Sequence, residues 1–342
     1  IMLLVASQSN ASSYLRPPPQ GEEILSRGGY ITLAVIMAAF TLPAIVLNAT
    51  VIVVSLMNKQ LRQPLNYALV NMAIADLGTA MTGGILSVVN NAMGYFSLGR
   101  TGCVMEGFSV SFFGITSLCT VALIAVERMF VVSKPLGPIS FQRKHAAWGV
   151  ALSWAWSLIW NTPPLFGWGR YELEGVRTSC APDWHNRDPV NVSYILCYFL
   201  LCFAVPLLII VASYLKLMYT LRQVSKMGMG CLAGGAAAQS EAKVARMVVL
   251  MVLTFLISWL PYATLALVVV ADPDAHISPL LGTVPVYLAK SSTLYNPVIY
   301  LYMNKQFRQY AVPFLLCGRN PWPSEESEME TSVATNSKVS PS

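Results

Sequence analysis

Seven stretches of the chain stay apolar over lengths that match the hydrocarbon core of a bilayer: residues 30–57, 65–93, 101–126, 146–167, 191–215, 247–271 and 277–303. A spanning helix needs about 20 such residues, so the pattern predicts seven transmembrane helices. After the last of them Phe307, Tyr310, Ala311, Phe314 and Leu315 recur at helical spacing, with Arg308 and Gln309 on the other face. That predicts an amphipathic helix lying on the membrane surface. The run GMGCLAGGAAAQ (228–239) reads as a flexible inner loop, and the polar, Ser/Thr-rich stretch 324–342 as disordered. The expected organisation is an all-α membrane protein. It comprises an outer tail (1–29), a seven-helix bundle (30–303), a membrane-surface helix (304–317) and a disordered cytoplasmic tail (318–342).

Charge orients this arrangement. Fifteen Lys and Arg residues follow the odd-numbered spans on one side, among them Lys59, Arg128, Arg143, Lys216, Arg246, Lys305 and Arg308. The other side carries six: Arg16, Arg27, Arg100, Arg170, Arg177 and Arg187. The positive-inside rule puts the richer side in the cytoplasm, with the N-terminus outside and the C-terminus inside. The net charge of +6 reflects this bias and calls for no nucleic-acid partner. With 55% hydrophobic and 11% charged residues, against about a quarter charged in soluble chains, the composition agrees. The opening IMLLVAS is shorter than a secretory signal and lacks a basic flank, so the first span is expected to direct its own insertion.

Of seven cysteines, Cys103 and Cys180 fall on the outer side, where disulfides persist; they are expected to pair. Cys317, just past the surface helix, is a candidate for S-palmitoylation. The sequons at Asn10 and Asn191 lie outside and are glycosylation candidates, whereas the one at Asn48 is inside a span.

Three charged side chains lie within the spans: Asp76, Glu106 and Lys290. Such residues are costly in lipid and mark function. Asp76 reads most simply as part of a polar cluster with Asn48 and Asn296, able to hold water or a sodium ion. Lys290 sits about thirteen residues from either end of its span, roughly 20 Å at helical rise, too deep for its amine to reach an interface. A bare ion pair with Glu106 returns little for two desolvated charges. A desolvated lysine, however, yields a neutral amine that is nucleophilic toward carbonyls. The protonated imine so formed needs a fixed anion. Glu106, one helical turn inside Cys103, and Glu174, six residues before Cys180, are the candidates.

Taken in order, LRQPLNYALVNMAIAD (61–76), Cys103 with Glu106, AVERM (125–129), SWLPY (258–262), Lys290 six residues before NPVIY, and MNKQFR (303–308) resemble the animal opsins of the rhodopsin-like G-protein-coupled receptors. The resemblance covers roughly residues 30–320. WNTPPLFGWGRYELEG, CAPDW and CGRNPW are most similar to the parapinopsins, a group of pineal, non-visual pigments.

The resemblance implies retinal bound as a Schiff base to Lys290, 11-cis in the dark and all-trans after light. It implies a pocket lined by Trp259 and Tyr262, with Gly114 leaving room for the ligand. It makes Glu174 the principal counterion of the photoproduct and Glu106 secondary. It also implies a bistable, ultraviolet-sensitive pigment of the photoreceptor plasma membrane. On the inner face it implies that Arg128 pairs with Glu127 or Glu241. Tyr214 and Tyr300 hydrogen-bond into the opened core, and Asn304, Lys305 and Gln306 link to the surface helix. The partners implied are a heterotrimeric G protein of the inhibitory or transducin-like class, with receptor kinase and arrestin acting on Ser324, Ser327, Thr331, Ser332, Thr335, Ser337 and Ser340.

Met129 departs from the family's tyrosine, and Ala245 stands where a hydroxyl is common. A light-driven pump would need further carboxylates along the third span, which holds only Glu106. A photoisomerase would not require the inner-face motifs, and a receptor for a diffusible ligand would not require Lys290.

Overall fold

The computed structural model describes residues 24–318 except 62, 134–141, 227–233, 273 and 276, with the side chains of 64, 221, 224–226 and 234–242 also left aside. The Asn10 sequon, the tail hydroxyls Ser324–Ser340 and the side chain of Glu241 therefore lie outside the described residues.

Each apolar stretch forms a helix. The helices are α1 (Arg27–Met57), α2 (Pro64–Thr79, continued by Ala80–Gly84 and Ile85–Met93), α3 (Gly99–Ser133) and α4 (Arg143–Asn161). They are followed by α5 (Pro189–Tyr198, continued by Phe199–Ala204 and Val205–Lys226), α6 (Gly234–Ala271), α7 (Pro279–Met303) and the short α8 (Lys305–Leu315). Helix ends fall where a side chain can satisfy free backbone N–H groups. Ser26 accepts from Gly29 N, Asp188 from Val190 N and Ser278 from Leu281 N. Asn304 ends α7 and starts α8 at once, its side-chain Oδ1 accepting from the N–H groups of Gln306 and Phe307.

Several boundaries differ from expectation. The stretch 234–239, expected as loop, is the first part of α6: its three consecutive alanines are strong helix formers that continue a following amphipathic pattern. Helix α3 runs on to Ser133 because the ERM segment remains helical beyond the apolar stretch. Helix α4 stops at Asn161, since Pro163 and Pro164 cannot continue it and instead form a short 3-10 turn.

Among the described residues, five helices (α1, α2, α3, α5 and α6) are apolar enough over a bilayer length to cross on composition alone. Helix α7 is too polar for that measure because it is enclosed: Thr283, Lys290, Ser291, Ser292, Thr293 and Asn296 are all buried within the bundle. Large apolar side chains such as Leu56, Trp148, Leu208 and Ile257 instead face outward, the distribution a lipid solvent requires. The inner half of the bundle packs on Leu69, Met72, Leu118, Ile124, Met251 and Phe255, with Tyr300 and Phe307 closing it against α8.

The loop between α4 and α5 folds into a hairpin, β1 (Tyr171–Glu174) and β2 (Ser179–Pro182), with Leu173 opposite Cys180 and Glu174 opposite Ser179. It is held down over the bundle mouth. A disulfide joins Cys180 to Cys103 at the top of α3, as expected. Tyr30 of α1 donates to Val176 O, and Val176 N donates to Thr283 Oγ1 of α7. Gly175 is the position that permits this last contact: its φ is +57°, and a Cβ there would lie 2.3 Å from Thr283 Oγ1.

Candidate functional site

Beneath the hairpin lies an apolar cavity whose walls come from α3 (Val110, Ile115), α5 (Phe199, Phe203), α6 (Trp259, Tyr262, Ala263) and α7 (Val286, Ala289), with Glu174 and Cys180 from the hairpin. Lys290 is the cationic side chain in this lining. Its Nζ lies 2.9 Å from Glu106 Oε1, 2.8 Å from Ser87 Oγ and 2.5 Å from Ser179 Oγ. Both members of the ion pair are almost wholly buried. Glu106 in turn accepts from Cys180 N at 3.2 Å and Ser179 Oγ at 3.3 Å. Such added hydrogen bonds are what a desolvated ion pair requires. The wide turn Ala80–Gly84 in α2 re-phases the residues after it. Ser87 then reaches the amine, while Gly83 lets α2 pack on α3, where a Cβ would lie 2.3 Å from Val110 Cγ2.

The second candidate carboxylate has a different partner. Glu174 Oε2 accepts from Tyr262 OH at 2.9 Å, and Tyr262 OH accepts from Trp184 Nε1 at 2.9 Å. Burial pushes Glu174 up to about 7, against the opposing pull of the Lys290 charge and the Tyr262 hydrogen bond, while the Glu106 charge adds to the rise. Glu106 and Glu174 thus share the neighbourhood of Lys290, but in this structure the amine contacts Glu106.

Trp259 lines the cavity, stacks on Phe255 at 5.7 Å and donates from its indole N–H to Ser292 Oγ at 3.0 Å. Gly114 lies against this indole: a Cβ there would meet Trp259 Cη2 at 3.0 Å. The polar cluster is also rearranged. Asp76 accepts from Asn296 Nδ2 (2.8 Å) and Ser117 Oγ (3.0 Å), whereas Asn48 donates to the carbonyls of Ala44 and Thr293 and leaves its own buried oxygen unpartnered.

On the inner face Glu127, Arg128, Asn304, Lys305 and Gln306 line one crevice together with Lys243 and Met247. Arg128 pairs with the adjacent Glu127 at 2.7 Å. The hydroxyls of Tyr214 and Tyr300 are buried without a hydrogen-bond partner. Cys317 is exposed after α8. Asn191 runs against its glycosylation reading: it is buried, and its Nδ2 donates to the carbonyls of Asp183 and Asn186, so the amide that would carry a glycan is committed inside the loop.

Sequence reasoning missed Ser87, Ser179, Ser292 and Trp184. Ser179 could have been suspected from its place beside Cys180; the others carry no local signal.

Comparison with known proteins places these features in context. The model of the seven-transmembrane receptors of the rhodopsin family matches residues 47–300. Parapinopsin of Ictalurus punctatus is 58% identical over 326 residues, spanning 94% of each chain. Pinopsin of Columba livia is 46% identical over 89% of this chain and 86% of its own. The crystal structure of squid rhodopsin superposes with a TM-score of 0.81 at 28% identity, covering 90% of this chain and 91% of that one.

Proposed function

The chain belongs to the rhodopsin family of seven-transmembrane receptors and, within it, to the opsins, and from that premise we propose a non-visual, bistable light receptor that holds retinal on Lys290 and signals to a heterotrimeric G protein. One observation carries the reading: a single amine is buried at the wall of an apolar cavity, beside two carboxylates, in a protein with a receptor's inner face. The residues present suit the group. The lining is aromatic and aliphatic, as a polyene requires, and the nucleophile is Lys290 Nζ, with no second lysine in the lining. Retinal, when bound, supplies light absorption and isomerisation.

The remaining work falls to the chain. Glu106, Ser87 and Ser179 hold charge and proton at the free Nζ before retinal is attached. Glu174, kept in place by Tyr262, is the reserve anion that we assign to the photoproduct. The hairpin and its disulfide exclude bulk water from the amine. Trp259 lies two residues before Pro261, where a missing backbone N–H lets α6 bend. Movement there opens the inner crevice, and the unpartnered Tyr214 and Tyr300 hydroxyls gain partners that they lack in the closed form. The crevice at Arg128 and Asn304–Gln306 receives the G protein, of the inhibitory or transducin-like class. The receptor stands in the plasma membrane with its N-terminus outside, and kinase and arrestin act on the tail. Cys317 anchors the surface helix through a fatty acyl chain.

A second reading rests on the 2.9 Å contact between Lys290 and Glu106, which also suits a bleaching pigment of the visual type with Glu106 as sole counterion. Spectra separate the two. The purified protein is mixed with 11-cis retinal and measured in the dark, after short-wavelength light, and again after longer-wavelength light. An ultraviolet band that converts to a visible one and back is expected. Absence of any pigment overturns the receptor reading, and a photoproduct that decays without photoreversal overturns bistability.

A further inference from the structure

A second cavity opens outside the first. It is lined by Arg177 and His185 on its outer side and by Leu265, Val269 and Ile277 at its flank. The two cavities share four residues, Glu174, Trp184, Tyr262 and Ala266. Three of these form one hydrogen-bonded chain, and its direction is determined by chemistry. An indole N–H can only donate. Tyr262 OH must therefore accept from Trp184 Nε1, which leaves the phenol's single proton for Glu174 Oε2. The indole also meets the phenol ring edge-to-face, with centroids 5.8 Å apart and planes at 82°, so the phenol is held by packing as well as by its hydrogen bonds.

We infer that Trp184 is a positioning residue which, acting through Tyr262, orients Glu174 as a hydrogen-bond acceptor toward the chromophore cavity and closes that cavity against the outer vestibule. The inference rests on the opsin reading for its purpose but not for its geometry. Donation from Trp184 polarises the phenol and strengthens its bond to the carboxylate. Without it, the phenol can turn to water in the vestibule, and Glu174 loses its donor. The charged and titratable groups around Glu174 are Lys290 on α7, Glu106 on α3 and Tyr262 on α6, with Arg177 and His185 on the vestibule side. Of these, Tyr262 is the group to which the indole N–H donates.

The test begins on the retinal-free protein in lipid nanodiscs. Infrared titration, with Glu174→Gln as the subtraction, reads the Glu174 carboxyl directly. Trp184→Phe keeps an aromatic ring and deletes the donor; it should raise the Glu174 midpoint by about one pH unit, the value of one hydrogen bond. Tyr262→Phe, which leaves the loop aromatic in place, should raise it as well and covers the case in which Trp184→Phe does not fold. Adding Trp184→Phe to Tyr262→Phe should then change nothing further, because the path is already cut. In the retinal-loaded protein, Trp184→Phe should speed the dark reaction with hydroxylamine severalfold. An unshifted Glu174 midpoint in Trp184→Phe, or an equal shift with and without Tyr262, overturns the inference. If no pigment forms at all, the opsin reading fails while the titration still decides the role of Trp184.

Discussion

Glu174 gives the fold a pH dependence whose sign can be worked out. Its carboxyl, ordinarily near 4.5, is pushed up to about 7 by burial. A raised carboxyl means that the folded form binds the proton more tightly than the unfolded chain. Below pH 4.5 both forms are protonated and the group costs nothing. Between 4.5 and about 7 the unfolded chain gives up its proton first, so stability falls as pH rises, and above 7 the loss is complete. The displacement corresponds to at most about 3 kcal/mol, reduced by the contact that Glu174 retains with the outer vestibule. The assay is unfolding of the retinal-free protein in nanodiscs from pH 4 to pH 8, for wild type and Glu174→Gln. Glutamine carries no charge to desolvate, so the variant should gain on the wild type progressively across this window and level off above it. A difference that is flat with pH, or one that shrinks as pH rises, refutes the reasoning.

Two further outcomes follow from the same site. Glu106→Gln strands the Lys290 charge among Ser87 and Ser179, and denaturation of the retinal-free protein should show a loss of about 3–5 kcal/mol. Adding Lys290→Met should restore most of it; a double variant no more stable than the single one would contradict the pairing. Gly114→Ala places a methyl 3.0 Å from Trp259 Cη2, and overpacking of this kind costs about 1–3 kcal/mol. The indole should shift, visible as altered tryptophan fluorescence and weaker retinal uptake, while an unchanged emission spectrum would show that the space is not filled by Trp259.

Much of this protein was legible before any fold was known. Apolar length is a local property, and in lipid each span must satisfy its own backbone, so seven helices could be counted from the chain alone. The depth of Lys290 followed from its position in the last span, and α8 from the spacing of Phe307 and Ala311, which are both buried. The disulfide followed from which side of the membrane each cysteine occupies. Where local pattern misled, the cause was also local: alanines after a glycine-rich run continued α6 instead of forming loop, and a sequon at Asn191 could not show that its amide was committed to two carbonyls.

The partners inside the bundle were decided by the tertiary structure. Lys290 meets Ser87, Glu106 and Ser179 across separations of 203, 184 and 111 residues. No periodicity encodes these meetings, because they depend on the wide turn in α2, the seating of the hairpin and the rotation of α7. The same holds for the hydrogen bond that Glu174 accepts from Tyr262 and for the close approach of Trp259 to Gly114. Sequence determined that a buried amine must have an anion, since an unpaired charge in low dielectric is too costly. Which of two anions it contacts is settled only by packing, where a single helical turn or one donated hydrogen bond changes the partner.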